Sequence, residues 1–282
     1  MSKEESWVSN RDVGAAMVYH IRTHVFAGDK IHTDDTPVLV LAPGTGKTKT
    51  GRLWVYARDD RGWQGIGPPG PAYFYTPDRK GERPRAHLAS FNGFLQAYGY
   101  EGYEQFHDRR RQPGPIVEVA CWAHVRRKIY DVWKATGSTT ARTGVSMIDL
   151  MYEAEELGHR LPREDRLERR QVVRIGVDGF FNWAEDTMRC ISGKGALADA
   201  IRYALKRREA LTRFCDDARL EADNNCAENC LHPVALGRKN YLLAGSDKGG
   251  ERAAAIYTLI QTARLKFVDA EAWLRNVLTP YR

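Results

Sequence analysis

The sequence predicts an α/β fold with a mixed sheet, an antiparallel meander continued by parallel strands and interrupted by an α-helical insertion. Three observations carry that expectation. Three strand-like segments joined by turns come first, strands then alternate with short helices, and a long charge-rich helical stretch follows.

Val13, Met17, Ile21 and Val25 recur at helical spacing and predict a helix over Asp12–Phe26, ended by Ala27-Gly28-Asp29. Lys30–Leu41 contains the β-rich run Val38–Leu41, Pro43-Gly44-Thr45-Gly46 reads as a turn, and Arg52–Ala57 is the return strand. Ala72–Tyr75 makes a third, short strand. Thereafter Ala86–Asn92 reads as helix, Phe94–Ala97 as strand, Tyr100–Phe106 as helix and Pro115–Ala120 as strand. From Val125 to about Arg213 the text is helical; Arg163–Arg170 is a solvated charged stretch, and Leu197, Ile201, Ala204, Leu205 and Leu211 keep the 3.6 period. Asp223-Asn224-Asn225 opens another helix, expected to end at Leu231 before Pro233, and a Gly-rich turn (Gly245–Gly250) leads into a helix over Arg252–Leu265.

This order fits a ribonuclease-H-like core with a helical insertion, one arrangement among several that pattern alone allows. It divides the chain into the first part of the core (1–124), the insertion (125–213), a closing part with the Glu228 helix (214–265) and a C-terminal tail (266–282).

Composition bounds the function. At 282 residues, with 43% hydrophobic and 28% charged, the chain is long and apolar enough to bury a core. No run approaches the roughly 18–20 apolar residues of a membrane span, and Met1–Asn10 holds no apolar signal segment, so a cytoplasmic protein with no membrane partner is expected. The net charge of +7 suits a phosphate-bearing partner without specifying one. Five cysteines, with no CxxC pair, predict reduced thiols rather than a disulfide framework or zinc ribbon.

Several motifs carry chemistry, each with a plainer reading beside it. Gly44-Thr45-Gly46-Lys47-Thr48 resembles the end of a phosphate-binding loop, but Leu41 stands where the first glycine is needed and an aromatic strand follows instead of a helix; a hairpin turn is expected. Asp34 and Asp35 are adjacent on a strand, so only one can face a given site. Asp223-Asn224-Asn225-Cys226-Ala227-Glu228 reads as a helix cap with Glu228 in a capping box, or as a carboxylate placed at a helix start for chemistry. Cys121-Trp122-Ala123-His124 followed by Arg126-Arg127-Lys128 offers too few ligands for structural zinc; it is either packed core beside a solvated basic face or an aromatic and basic wall for a nucleic acid. Cys226 and Cys230 read as core residues. Leu236–Tyr241 and Gly245–Gly250 combine cations, amides and glycines that suit phosphate contact or a plain surface turn.

Taken together, HTDDTPVLVLAPGTGKTKTGRLWVY (His32–Tyr56), FNGFLQAYGYEGY (Phe91–Tyr103), ACWAHVRRKIYDV (Ala120–Val132), LADAIRYALKR (Leu197–Arg207), the segment Leu220–Ala263 and the tail from Val268 to Leu278 resemble the insertion-sequence-66 type of bacterial DDE transposase over nearly the whole chain. The resemblance implies a ribonuclease-H-like fold and three carboxylates holding two Mg²⁺ (or Mn²⁺) for in-line attack on a DNA phosphodiester. It makes DNA, as transposon ends and target, the partner, and allows a homo-oligomer. Asp34 matches the first catalytic, metal-binding Asp and Glu228 the last Glu. Cys121 and His124 match a Cys-x-x-His element near the site or the DNA. The implied DNA-binding set is Cys121, Trp122, His124, Arg126, Arg127, Lys128, Arg238, Lys239 and Asn240.

The departures are equally specific. The family phrase Leu-Gln-Ala-Asp-Gly-Tyr reads Leu95-Gln96-Ala97-Tyr98-Gly99-Tyr100 here, so Tyr98, a neutral phenol at pH 7, takes the place of the second Asp. Glu101 and Glu104 lie on the next helix and are poor substitutes. Glu228-Asn229-Cys230-Leu231-His232-Pro233 lacks two arginines of the family phrase, and the family's N-terminal DNA-recognition region is not expected in this chain. The resulting expectation is a transposase-derived protein of impaired catalysis. Two alternatives remain open, a non-catalytic DNA-binding or oligomerisation remnant and a ribonuclease-H-like nuclease. The geometric expectation is that Asp34 and Glu228 converge with Tyr98 beside them.

Overall fold

The computed structural model describes residues 10–42, 44–99, 101–108, 110–240 and 243–278. The N-terminal stretch up to residue 9, Pro43, Tyr100, Tyr241, residues 279–282 of the tail, and the side chains of Glu101 and Glu104 lie outside that description. Helix α1 (Asn10–Phe26) leads into strands β1 (Lys30–Ala42), β2 (Lys47–Arg58) and β3 (Gly70–Thr76). A short helix α2 (Glu82–His87), strand β4 (Gly93–Gln96), a 3₁₀ segment (Glu101–His107) and strand β5 (Ile116–Val119) follow. The strand order is β3-β2-β1-β4-β5. The first three strands pair antiparallel, and β1, β4 and β5 pair parallel. This is a five-stranded mixed sheet, compatible with a ribonuclease-H-like core, as the element order predicts.

The helical stretch is built from α3 (Trp122–Thr136), α4 (Thr139–Glu156), α5 (Arg163–Cys190), α6 (Ala196–Lys206) and α7 (Arg208–Thr212). Helices α8 (Asn225–Asn240), α9 (Asp247–Leu265) and α10 (Ala270–Leu278) close the described chain. Among the described residues, no helix is long and apolar enough to cross a membrane.

Strand alternation assigns the two faces of the sheet. Trp54 and Tyr56 point to one side, packing with Val25 of α1 and with Leu88 and Phe91. Leu53 and Val55 point to the other, packing with Ala227, Cys230, Leu231 and Val234 of α8 and Ala254 of α9. Asp34 pairs in register with Val55 and Asp35 with Trp54. Directly opposed residues share a face, so Asp34 lies on the α8 side and Asp35 on the α1 side. Only one of the two acids can therefore meet Glu228.

The insertion has its own core, in which Trp122 is fully buried against Phe180 and Phe181 and donates its Nε1 hydrogen to the Leu211 carbonyl at 2.8 Å. A buried ion network ties it to the chain before α8. Arg166 Nη2 bonds Glu155 at 3.0 Å and Glu221 at 2.5 Å, and Arg170 Nε donates to both Glu155 oxygens at 3.1 and 3.0 Å. Arg170 also donates to the carbonyls of Phe214, Asp217 and Leu220, satisfying a guanidinium that has no exposure to water. Arg163–Arg170 is therefore not solvated throughout, contrary to the sequence expectation: Arg166 and Arg170 are buried.

Three helix boundaries differ from the sequence expectation. The helix predicted over Ala86–Asn92 is α2, which starts and ends earlier, because Arg111 donates to the carbonyls of Leu88 and Phe91 and holds that stretch as a turn. Helix α8 does not stop before Pro233 but continues to Asn240. Leu231 and Val234 flank the proline and are both buried on the sheet, and that burial outweighs the single missing backbone donor. Gly245–Gly250 is largely the first turn of α9, capped by Ser246 Oγ accepting from the Gly249 N–H at 3.1 Å. A Cβ on Gly250 would meet the Tyr75 ring at 2.5 Å, so that glycine permits close helix–sheet approach rather than phosphate contact.

Candidate active site

The candidate residues lie within β1, just past the end of β4 and at the starts of α3 and α8. Gln96, the last residue of β4, donates to the Asp223 carbonyl at 2.8 Å and accepts from the Glu221 N–H at 3.1 Å, fixing the chain that enters α8. Asn224, fully buried, donates to the Thr33 carbonyl at 2.9 Å and bonds His32 Nδ1 at 3.2 Å, riveting the start of α8 to β1. These bonds fix the start of α8, which carries Glu228, against β1 and β4.

A capping box would have Glu228 reach back to the cap's N–H. Here the helix begins at Asn225, and the N–H of Asn224 donates instead to Cys121 Sγ at 3.3 Å. Asp223 Oδ1 accepts from the Asn225 N–H at 2.9 Å. The Glu228 carboxylate is thereby free for other partners, and its Oε1 lies 3.6 Å from His124 Nε2.

The charge of Glu228 reaches Asp34. Burial pushes the Asp34 carboxyl up to about 7, and the charges of Asp35 and Glu228 raise it further, against the Asp35 N–H and Arg79. The Asp35 N–H donates to Asp34 Oδ1 at 2.7 Å. Asp35 itself is occupied: its carboxylate pairs with Arg79 at 2.8 Å and Arg52 at 3.0 Å, and it accepts from the Tyr98 hydroxyl at 3.0 Å. Tyr98 also lays its ring beside His124, centroids 5.2 Å apart. Burial lowers the His124 imidazole below its ordinary value; Glu228 opposes this, and Arg127 and Lys128 reinforce it.

The remaining predicted residues separate into two groups. Cys121 and Trp122 are fully buried, so in this conformation neither offers a surface to DNA; Trp122 belongs to the core of the insertion. Arg126 is committed to Asp149 at 2.6 Å, and Arg238 donates to the Pro37 carbonyl at 2.6 Å. Arg127, Lys128, Lys239 and Asn240 are exposed. Gly44–Gly46 is the β1–β2 hairpin turn, as the sequence predicts, with both glycines at positive φ.

Residues 11–252 match the sequence family described as Transposase IS66 family. The chain belongs to that family. Similar proteins include two from Sinorhizobium fredii (strain NBRC 101917 / NGR234). The uncharacterized protein y4qI is 39% identical over 264 residues, covering 92% of this chain and 49% of that protein. The uncharacterized protein y4hP is 37% identical over 271 residues, with the same coverage of 92% and 49%. The chain thus spans about half the length of these relatives.

As an IS66-family member, the protein is transposase-derived. Sequence reading of this family member misses Arg52, Arg79 and Asn224. Asn224 stands in the Asp-Asn-Asn run that reads as a cap, so its type was visible but its long-range partner was not. Nothing in the local pattern of Arg79 marks it as a partner of Asp35, which lies 44 positions away.

Proposed function

We propose that this IS66-family chain is a DNA strand-transfer domain whose reacting centre is the Asp34–Glu228 pair, and that it is impaired because Tyr98 occupies the third corner. One observation carries the reading: Asp34 on β1, far in sequence from Glu228 on α8, is a largely buried carboxyl whose ionisation burial disfavours and the Glu228 charge disfavours further. Acids so placed are held for a cation.

The donor set fits one divalent ion and does not fit two. A pair of ions needs a third bridging carboxylate, and the phenol at position 98 is neutral and already spent on Asp35. A divalent ion, when bound, supplies charge stabilisation for in-line displacement at phosphorus. The chain's own part is positional. Asp34 is aimed by the rigid sheet, Glu228 is aimed by the Asn224 and Gln96 anchors, and Arg127, Lys128 and Lys239 offer exposed charge to a phosphate backbone.

The test is Mg²⁺- or Mn²⁺-dependent nicking and strand transfer on duplexes carrying transposon ends. Wild type is expected near background. Tyr98→Asp should raise the rate at least about tenfold, roughly 1.4 kcal/mol of barrier, and Asp34→Asn in that background should abolish the gain. Robust turnover by wild type, or no dependence on Asp34, would overturn the reading.

A further inference from the structure

Cys121, His124 and Glu228 come from the end of β5, the first turn of α3 and the first turn of α8, and each presents one donor atom. The Cys121 Sγ, the imidazole nitrogen and a carboxylate oxygen all lie within 4.8 Å of one another. That spacing suits one ion at ordinary ligand distances of about 2.0–2.3 Å. His124 Nε2 is buried with no hydrogen-bond partner, and its 3.6 Å separation from Glu228 is too long for a hydrogen bond. A buried, unpartnered imidazole nitrogen aimed between a thiol and a carboxylate is costly unless something coordinates it. The Tyr98 ring lies beside the imidazole, and Cys121 Sγ already accepts the Asn224 N–H, a bond that favours the thiolate.

We propose that Cys121, His124 and Glu228 form a mononuclear site for a borderline-soft divalent transition ion of the zinc class, with a fourth position open to solvent. Thiolate and imidazole donors select against Mg²⁺ and Mn²⁺ and for Zn²⁺ or Co²⁺. Three protein ligands with one open position is the pattern of a site that also binds a further group. Binding replaces the thiol proton by the ion, and one proton leaves for solvent per ion bound. Because that proton is displaced, uptake is expected to strengthen as pH rises. The proposal shares Glu228 with the strand-transfer reading but does not need Asp34.

Co²⁺ titration followed by absorption spectroscopy tests it. Wild type is expected to bind one Co²⁺ with a sulfur-to-cobalt charge-transfer band that Zn²⁺ displaces and excess Mg²⁺ does not. Cys121→Ser should lose the band, Glu228→Gln and His124→Asn should weaken Co²⁺ binding at least about tenfold, and Asp34→Asn and Cys226→Ser should retain the band. Far-UV circular dichroism confirms that each variant is folded, and Glu228→Gln, on an exposed helix turn, stands in should Cys121→Ser not fold. Co²⁺ bound without the band, a band surviving Cys121→Ser, or binding insensitive to Glu228→Gln would overturn the proposal. Metal-dependent nicking without this band would sink the present inference alone. The band without any Asp34-dependent nicking, even in Tyr98→Asp, would sink the strand-transfer reading alone.

Discussion

The Tyr98 hydroxyl donates to Asp35 Oδ1 at 3.0 Å, on a carboxylate already shared by Arg79 and Arg52. Tyr98 thus serves an ion pair on the face of β1 opposite the one that carries Asp34.

Removing that hydroxyl tests its structural role. Tyr98→Phe is expected to lose about 1.5 kcal/mol of unfolding free energy, the scale of a hydrogen bond to a charged acceptor. Chemical denaturation at constant pH measures it. An unchanged midpoint would mean that the two arginines satisfy Asp35 alone.

Asp34 carries a folding penalty that depends on pH. Its carboxyl stands at about 7 in the folded chain against about 3.9 when unfolded, so folding disfavours the charged form. The penalty is absent below pH 4, grows between pH 4 and 7 and is complete above. Asp34→Asn should therefore be more stable than wild type at pH 8, by up to about 4 kcal/mol, and nearly equal at pH 4. Unfolding curves at both pH values decide it, and saturating Mn²⁺ should stabilise wild type but not the variant.

His87 works in the opposite direction. Its ring stacks on Phe74 with centroids 4.4 Å apart and bonds the Tyr56 hydroxyl at 3.0 Å. Burial, with Arg22 and Arg83 adding, holds it down at about 4, below its unfolded value of about 6.5. The neutral ring's contribution is intact above pH 6.5 and is lost as pH falls toward 4. Relative to His87→Gln, wild type should lose about 3 kcal/mol between pH 7 and 4. A difference that stays constant with pH would contradict this.

Glu155 neutralises two buried arginines, Arg166 and Arg170. Glu155→Ala leaves Arg170 without a carboxylate partner in the core of the insertion, while Arg166 keeps Glu221, and a loss of about 3–5 kcal/mol is expected. Thermal unfolding followed by circular dichroism measures it. Replacing all three residues by apolar side chains of similar volume should recover most of that loss.

Much of the fold is legible locally. The 2-residue alternation around Arg52–Ala57 and the 3.6-residue period through Ile201 and Ala204 are short-range consequences of backbone geometry, so β2 and α6 follow from the text. The opposite facing of Asp34 and Asp35 follows from the same rule and holds in the sheet. Boundaries controlled by distant partners are not legible. Arg111 shortens α2 from 20 positions away, and sheet packing carries α8 through Pro233.

Family resemblance was readable because whole phrases recur in order, and the match over residues 11–252 bears it out. Asp34, Tyr98, Cys121, His124 and Glu228 were each named by type and place in the chain. Their mutual arrangement belongs to the folded state. A carboxylate's partner is chosen by which strand faces which helix, and a capping sequence cannot reveal that a cysteine about a hundred residues earlier takes the cap's N–H and so frees Glu228. Local pattern encodes conformation because neighbouring residues share a backbone; contacts between remote side chains are decided by packing, where burial and charge act through space.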